Sequence, residues 1–334
     1  MAEKEIVAVQ EFLKLLEVGK KQYKDGLSIF PLHGATGSTY DYVILDEAIR
    51  QKVLIVTEIG SGTVPEISVL NKANKDVFIM DGQELIGAKQ NRIVNISLVV
   101  PAESEIKIPV SCVEQGRWHH TSEHFHESED ISYANLRKTQ KASVLRSVAV
   151  GGEFRADQGE VWDNIAYKMS VHGVASPTSA MSDIYKEEKT RISGYSDIFK
   201  IVKGQLGAVF CIGENIFGMD IFDKEETCNK LMPRIIKSYV MEILYGEKVD
   251  KQVKKEDIKQ FLARVMESSF SVRKSPGAGM TVSITGKELG GTSLIARDTV
   301  IHTAVFNRPE QEHKEEEYSY MRNPVSRRDT NIIR

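Results

Sequence analysis

Two alternating apolar runs joined by Pro101-Ala102-Glu103-Ser104-Glu105 constrain this chain more than any other feature. Period-two alternation on both sides of a short polar loop predicts a β-hairpin. The apolar faces set its register: Val100 opposite Ile106, Leu98 opposite Ile108, Ile96 opposite Val110, and Val94 opposite Cys112. Extending that register places Arg92 opposite Glu114, Asn91 opposite Gln115 and Lys89 opposite Arg117. Directly opposed like charges destabilise a sheet, so Lys89 facing Arg117 calls for an anion or a carboxylate between them. The polar stretches Gly87-Ala88-Lys89-Gln90-Asn91-Arg92 and Glu114-Gln115-Gly116-Arg117-Trp118 would then meet at one hairpin end.

The 334 residues allow one large or two small domains with a sizeable core. A net charge of −3 carries no basic footprint for nucleic acid. The three cysteines, Cys112, Cys211 and Cys228, are too few for a disulfide framework and point to a reducing compartment. The first residues do not read as a signal peptide, and no apolar run approaches the ~20 residues that span a bilayer. The expectation is a cytoplasmic protein with neither nucleic acid nor membrane as partner. No cofactor and no oligomeric state can be read from the residues.

Apolar spacing predicts an amphipathic helix over residues 5–20, within an N-terminal segment 1–25. Strands are predicted at 27–32, 40–45, 53–59, 66–71 and 77–80, with a short helix at 46–52. Asp81-Gly82 signals a tight turn. Residues 118–155 read as a long polar loop or lid, a possible break between subdomains. Asp157 with Glu160 offers a capping box for a helix, and Ser176-Pro177 a second helix start. A hairpin is predicted over 206–222. Asp223 with Glu226 would cap a long helix containing Pro233, followed by a helix at 255–267 and strands over 268–306. Residues 310–334 carry dense mixed charge and read as a mobile tail. Strands, then helices, then strands predict an α+β fold with one domain over 26–309.

The chemistry-bearing residues cluster at the hairpin end. Guanidinium forks and amides suit phosphates and ribose hydroxyls. Lys89, Arg92 and Arg117 are candidate phosphate ligands, and Gln90, Asn91 and Gln115 candidate readers of ribose or base. The bland alternative is a cross-strand Arg92–Glu114 ion pair. Glu84 and Glu114 are the candidate acid–base groups, with Glu84 preferred because no basic partner faces it in this register. Cys112 reads as a buried small hydrophobe, with a nucleophile as the alternative. His120-Thr121-Ser122-Glu123-His124 matches H-x-x-E-H, but its flanks lack the helical periodicity that would place His120 and His124 on one face. A solvated loop is the default there, and a metal-dependent hydrolase the alternative. Gly60-Ser61-Gly62 lacks a third glycine and a following helix, so a dinucleotide fingerprint is rejected.

The stretch Asp81-Gly82-Gln83-Glu84-Leu85-Ile86-Gly87-Ala88-Lys89-Gln90-Asn91-Arg92 resembles a family motif, as does Ile108-Pro109-Val110-Ser111-Cys112-Val113-Glu114-Gln115-Gly116-Arg117-Trp118. So do Ala156–Trp162, Ser176-Pro177-Thr178 and Gly218–Asp223, more weakly. The family is the ADP-ribosylglycohydrolase and rhodanese-phosphatase superfamily associated protein domain, largely uncharacterised. The resemblance implies handling of an NAD-derived nucleotide such as ADP-ribose, by a hydrolase or transferase. It carries Glu84, Lys89, Gln90, Asn91, Arg92, Glu114, Gln115 and Arg117 as motif residues. A non-catalytic sensor or interaction module using the same pocket is the alternative.

Overall fold

In chain order, α1 (Ala2–Lys14) buries Val9 and Leu13, and the chain enters β1 (Glu17–Val18) sooner than the apolar spacing predicts. β2 (Gln22–Lys24) and β3 (Leu27–His33) follow, then β4 (Tyr42–Ile44), α2 (Leu45–Arg50), β5 (Leu54–Thr57), β6 (Glu66–Asn71) and β7 (Asp76–Ile79). After the Asp81-Gly82 turn come β8 (Gln83–Gly87), β9 (Arg92–Val94), β10 (Leu98–Val100), β11 (Ser104–Cys112) and β12 (Phe125–Ile131). Three helices follow: α3 (Ala134–Ala149), α4 (Gln158–His172) and α5 (Met181–Ser193). β13 (Gln205–Ile212) and β14 (Asn215–Phe222) form the expected hairpin. α6 (Glu225–Ile243), α7 (Lys255–Met266), β15 (Ser269–Lys274), β16 (Met280–Gly286), β17 (Leu289–Ala296) and β18 (Thr299–Asn307) complete the described elements. This computed structural model describes residues 2–34, 38–246 and 252–307, so the proposed tail at 310–334 lies outside the described residues.

The strands form three sheets. The largest has nine strands, ordered β1-β3-β13-β14-β18-β17-β16-β15, with β2 also on β3. One face packs Leu32, Val209, Ile221 and Val305 against α1 and α7. The other packs Phe210 against Tyr239 of α6, rings stacked at 3.9 Å. A six-stranded sheet, β12-β8-β9-β11-β6-β5, and a three-stranded one, β10-β7-β4, enclose a second core with α2. The fold is α+β, with strands in the N-terminal half, helices in the middle and strands again at the C-terminal end.

The central hairpin is corrected. β10 leaves it to pair with β7, Leu98 opposite Ile79, while the first half of β11 pairs with β6. Only β9 stays on β11, and its register is shifted by two: Val94 faces Val110 and Arg92 faces Cys112. A two-residue shift keeps every side chain on its face, so the apolar alternation is blind to it. The break falls at Asn95 and Ser97, whose side chains turn into buried hydrogen bonds with Ser111 and Asp81.

Other expectations change too. Residues 118–155 are not a loop, because they hold β12 and α3. Asp157 does cap α4, accepting from the Glu160 amide at 3.0 Å. Ser176 begins no helix; α5 starts at Met181, and the Ser176 hydroxyl accepts from the Ala180 amide at 3.0 Å. Asp223 does not cap α6, for its carboxylate accepts from Tyr42 and Ser38 instead.

Candidate functional site

The residues after β8 turn sharply and reach β9 through Gly87–Arg92, against the segment Glu114–Trp118. Arg117 holds these two segments together. Its guanidinium donates to the carbonyls of Ala88 (2.7 Å), His119 (3.1 Å) and Gly87 (3.3 Å), and to Thr121 and Asn91, both at 3.1 Å. It also meets the Glu114 carboxylate at 2.5 Å. Glu114 therefore pairs with Arg117, not with Arg92 as the sequence register required. Burial pushes the Glu114 carboxyl up, but donors from Arg117, Thr178 and the Asn91 amide outweigh it and hold its pKa below the usual range. Lys89 does not face Arg117 either. Its stem lies on Gly62, which is free of Cβ at φ +100°, and its ammonium reaches the Ser61 carbonyl. The glycine-punctuated 60–63 loop, rejected as a dinucleotide fingerprint, thus lines this rim.

Arg92 is fully buried. It donates to Gln90 Oε1 at 2.9 Å, touches Cys112 Sγ, and lies 3.4 Å from Glu58 Oε1. Burial pushes the Cys112 thiol up to about 11, against the pull of Arg92, so it is a thiol at neutral pH. Above these groups lies Trp118, 48 % exposed. The Lys89 ammonium sits 5.3 Å from its ring centroid and the Arg92 guanidinium 5.6 Å, both within cation–π range. Gln115 is exposed, whereas Gln90 and Asn91 spend their side-chain oxygens on Arg92, Arg117 and the Gly87 amide. Of the eight motif residues, Gln115 is exposed and Lys89 half-buried, its ammonium held by the Ser61 carbonyl at the edge of the Trp118 ring. Trp118, Glu58 and Thr178 belong to the same rim and were not singled out from the sequence. The indole at the end of the second motif was the available signal.

Glu84 lies elsewhere. Residues directly opposite in an antiparallel sheet share a face, and successive residues alternate. Glu84 is opposite Ile93, and Leu85 opposite Arg92. Glu84 and Arg92 therefore point to opposite faces of the sheet. Glu84 is 1 % exposed, takes one hydrogen bond from Ser128 at 2.9 Å, and leaves Oε1 without a partner. Burial pushes its pKa up to about 8, with Ser128 opposing and Asp130 adding. Among the described residues no basic group forms an ion pair with it, though Lys186 pulls its pKa down from farther away. It is nevertheless sealed off from the rim that holds Lys89 and Trp118.

A second buried polar cluster lies away from the two motifs, around Arg137. Arg137 of α3 is fully buried and grips Asp220 of β14 at 2.7 and 3.0 Å. It also lies 3.4 Å from Asp81. Gly82, at φ +81°, lets the Arg137 side chain pass, for a Cβ there would stand 3.0 Å from its Cδ. Lys141 reaches Asp81 at 3.2 Å and Thr292 at 2.8 Å. His302 lies between Ser97 (2.9 Å) and Asp220 (3.2 Å). Ser97, His302 and Asp220 resemble a hydrolytic triad in composition, but all three are buried and Ser97 donates to Asp81 at 2.7 Å. The cluster ties α3 to β14, β18 and the turn after β7, and acts as a clasp.

The H-x-x-E-H stretch adopts no helix: it is irregular up to His124, and β12 begins at Phe125. Among the described residues, no group of three or more His, Cys, Asp or Glu is placed to hold a metal ion. No described helix is long and apolar enough to cross a membrane.

The fold and rim define an α+β protein whose two signature motifs build one polar edge around an exposed tryptophan. A family model, ARPP-1, the ARG and Rhodanese-Phosphatase-superfamily-associated Protein domain, matches residues 15–306, and the chain belongs to that family. No curated protein and no solved structure matches the chain significantly.

Proposed function

We propose that the protein binds an NAD-derived nucleotide such as ADP-ribose at the Lys89–Trp118 rim. The half-exposed indole flanked by two cations carries this reading. An aromatic face that water can reach stacks a base of any kind, at about 1–3 kcal/mol per base. Lys89 beside the 60–63 loop supplies the positive charge a diphosphate needs, and Gln115 an exposed amide. Arg117, Arg92, Gln90 and Asn91 shape the rim rather than touch the ligand. The family's name, with its ADP-ribosylglycohydrolase association, points to the same ligand class.

A binding or sensing role leads over catalysis, because both Glu114 oxygens are committed to Arg117, Thr178 and the Asn91 amide. Glu84, the other candidate acid, does not favour hydrolysis or transfer at the rim, since it is buried on the opposite face of the sheet. Melting in the presence of ADP-ribose tests the binding. At ~100 times the dissociation constant, ligand adds about 2.7 kcal/mol of stability. Trp118→Ala is expected to weaken binding by about 1–3 kcal/mol without lowering the unliganded melting temperature. Equal affinity in folded Trp118→Ala would remove the proposal.

A further inference from the structure

We propose that Glu58 is the carboxylate that receives the ribose hydroxyls of the bound nucleotide, making the site selective for ribonucleotides. The inference rests on the nucleotide reading above. Glu58 directly follows β5, and its side chain is 4 % exposed. Its Oε1 accepts from the Lys89 amide at 3.3 Å and lies 3.4 Å from Arg92 Nη2. Its Oε2 is buried and has no hydrogen-bond partner, and Arg92 Nε is likewise buried without one. Buried carboxylate oxygens are seldom left without a donor, so an orphan one points to a partner from outside the chain.

Its neighbours identify that partner. The Arg92 guanidinium touches Glu58 and also lies over the Trp118 ring, while Lys89 meets Glu58 through its backbone amide and Trp118 through its ammonium. A base stacked on that ring carries its ribose within reach of the rim's edge. The sugar offers two hydroxyl donors, the groups an acidic residue takes in dinucleotide folds. Arg92 offsets the carboxylate charge, which would otherwise repel the ligand's phosphates. No other candidate carboxylate serves: Glu114 has both oxygens occupied, and Glu84 lies on the opposite face of the sheet.

The test compares ADP with 2′,3′-dideoxy-ADP, reading quenching of tryptophan emission in wild type and in Glu58→Gln. Wild type is expected to bind ADP about tenfold or more tightly, the effect of a hydrogen bond to a charged group. In Glu58→Gln that ratio is expected to fall towards one. A purely structural role for Glu58 would weaken both ligands alike and leave the ratio intact, which would overturn the proposal. A wild-type ratio of one, with ADP still bound, would also overturn it while leaving the stacking reading standing. That result decides the matter even if Glu58→Gln folds poorly. Absence of any saturable binding by ADP would remove the nucleotide reading and this inference together.

Discussion

Replacing Glu84 with Gln is expected to stabilise the protein at pH 9 by about 5 kcal/mol, and by nothing near pH 4. Burial lifts the Glu84 pKa from 4.5 to about 8 in the folded state. Below 4.5 the folded and unfolded chains both carry the proton, so the group contributes no pH dependence. Between the two values the folded state holds a proton that the unfolded state has released. Stability therefore falls by about 1.4 kcal/mol per pH unit across that window and levels off above it. Glutamine keeps an oxygen for the Ser128 hydroxyl and removes the ionisation. Urea unfolding of both proteins from pH 4 to 9 reads the difference. Parallel curves over that range would show that Glu84 is not sealed as described.

Arg137→Met is expected to lose about 3–5 kcal/mol of unfolding free energy, because removing one member of a buried ion cluster strands the others. Asp220 would lose two hydrogen bonds and Asp81 one of its cations. Adding Asp220→Asn to that variant is expected to cost far less than the sum of the two single losses, since both disrupt one network. Denaturant midpoints at neutral pH measure this, and a loss under about 1 kcal/mol for Arg137→Met would contradict the clasp. The same cluster sets the acid limit. Burial alone would raise Asp81 and Asp220, but Lys141 and Arg137 beside Asp81, and Arg137 and His302 beside Asp220, hold both below the ordinary carboxylate range. Their contribution is present above that range and is lost as pH falls below it towards the depressed folded-state values. With Glu84 acting in the opposite sense, stability peaks between the two limits.

β5 and β6 are legible because their burial alternates with period two, whereas β3, β7 and β13 are buried on both faces and show as continuous apolar runs. Residues 66–71 were placed without error, and the 206–222 hairpin and the helix near 255 nearly so. What the pattern could not show was which strands pair. β10 is as apolar as a hairpin arm, yet its partner β7 lies twenty residues back in the sequence. The α3 helix was missed for a different reason. Its inward stripe includes Arg137, Gln140, Lys141 and Ser143, so the helical period is written in polar residues that a hydrophobic reading discards. The buried clasp was invisible for the same reason, since its members are spread from Asp81 to His302. At the site, the slipped register mispairs Glu114 with Arg92, and Glu58 is hidden at the end of the predicted strand 53–59, which stops at Thr57.

The central claim is that the Lys89–Trp118 rim receives the nucleotide, and the protein's own fluorescence tests it most directly. The chain has two tryptophans, Trp118 and Trp162, so Trp162→Phe leaves Trp118 as the sole reporter. Titrating that variant with ADP-ribose is predicted to quench its emission saturably, with the same dissociation constant that melting shifts give. A ligand that raises the melting temperature yet leaves the Trp118 emission unchanged would place the binding site elsewhere and contradict the account.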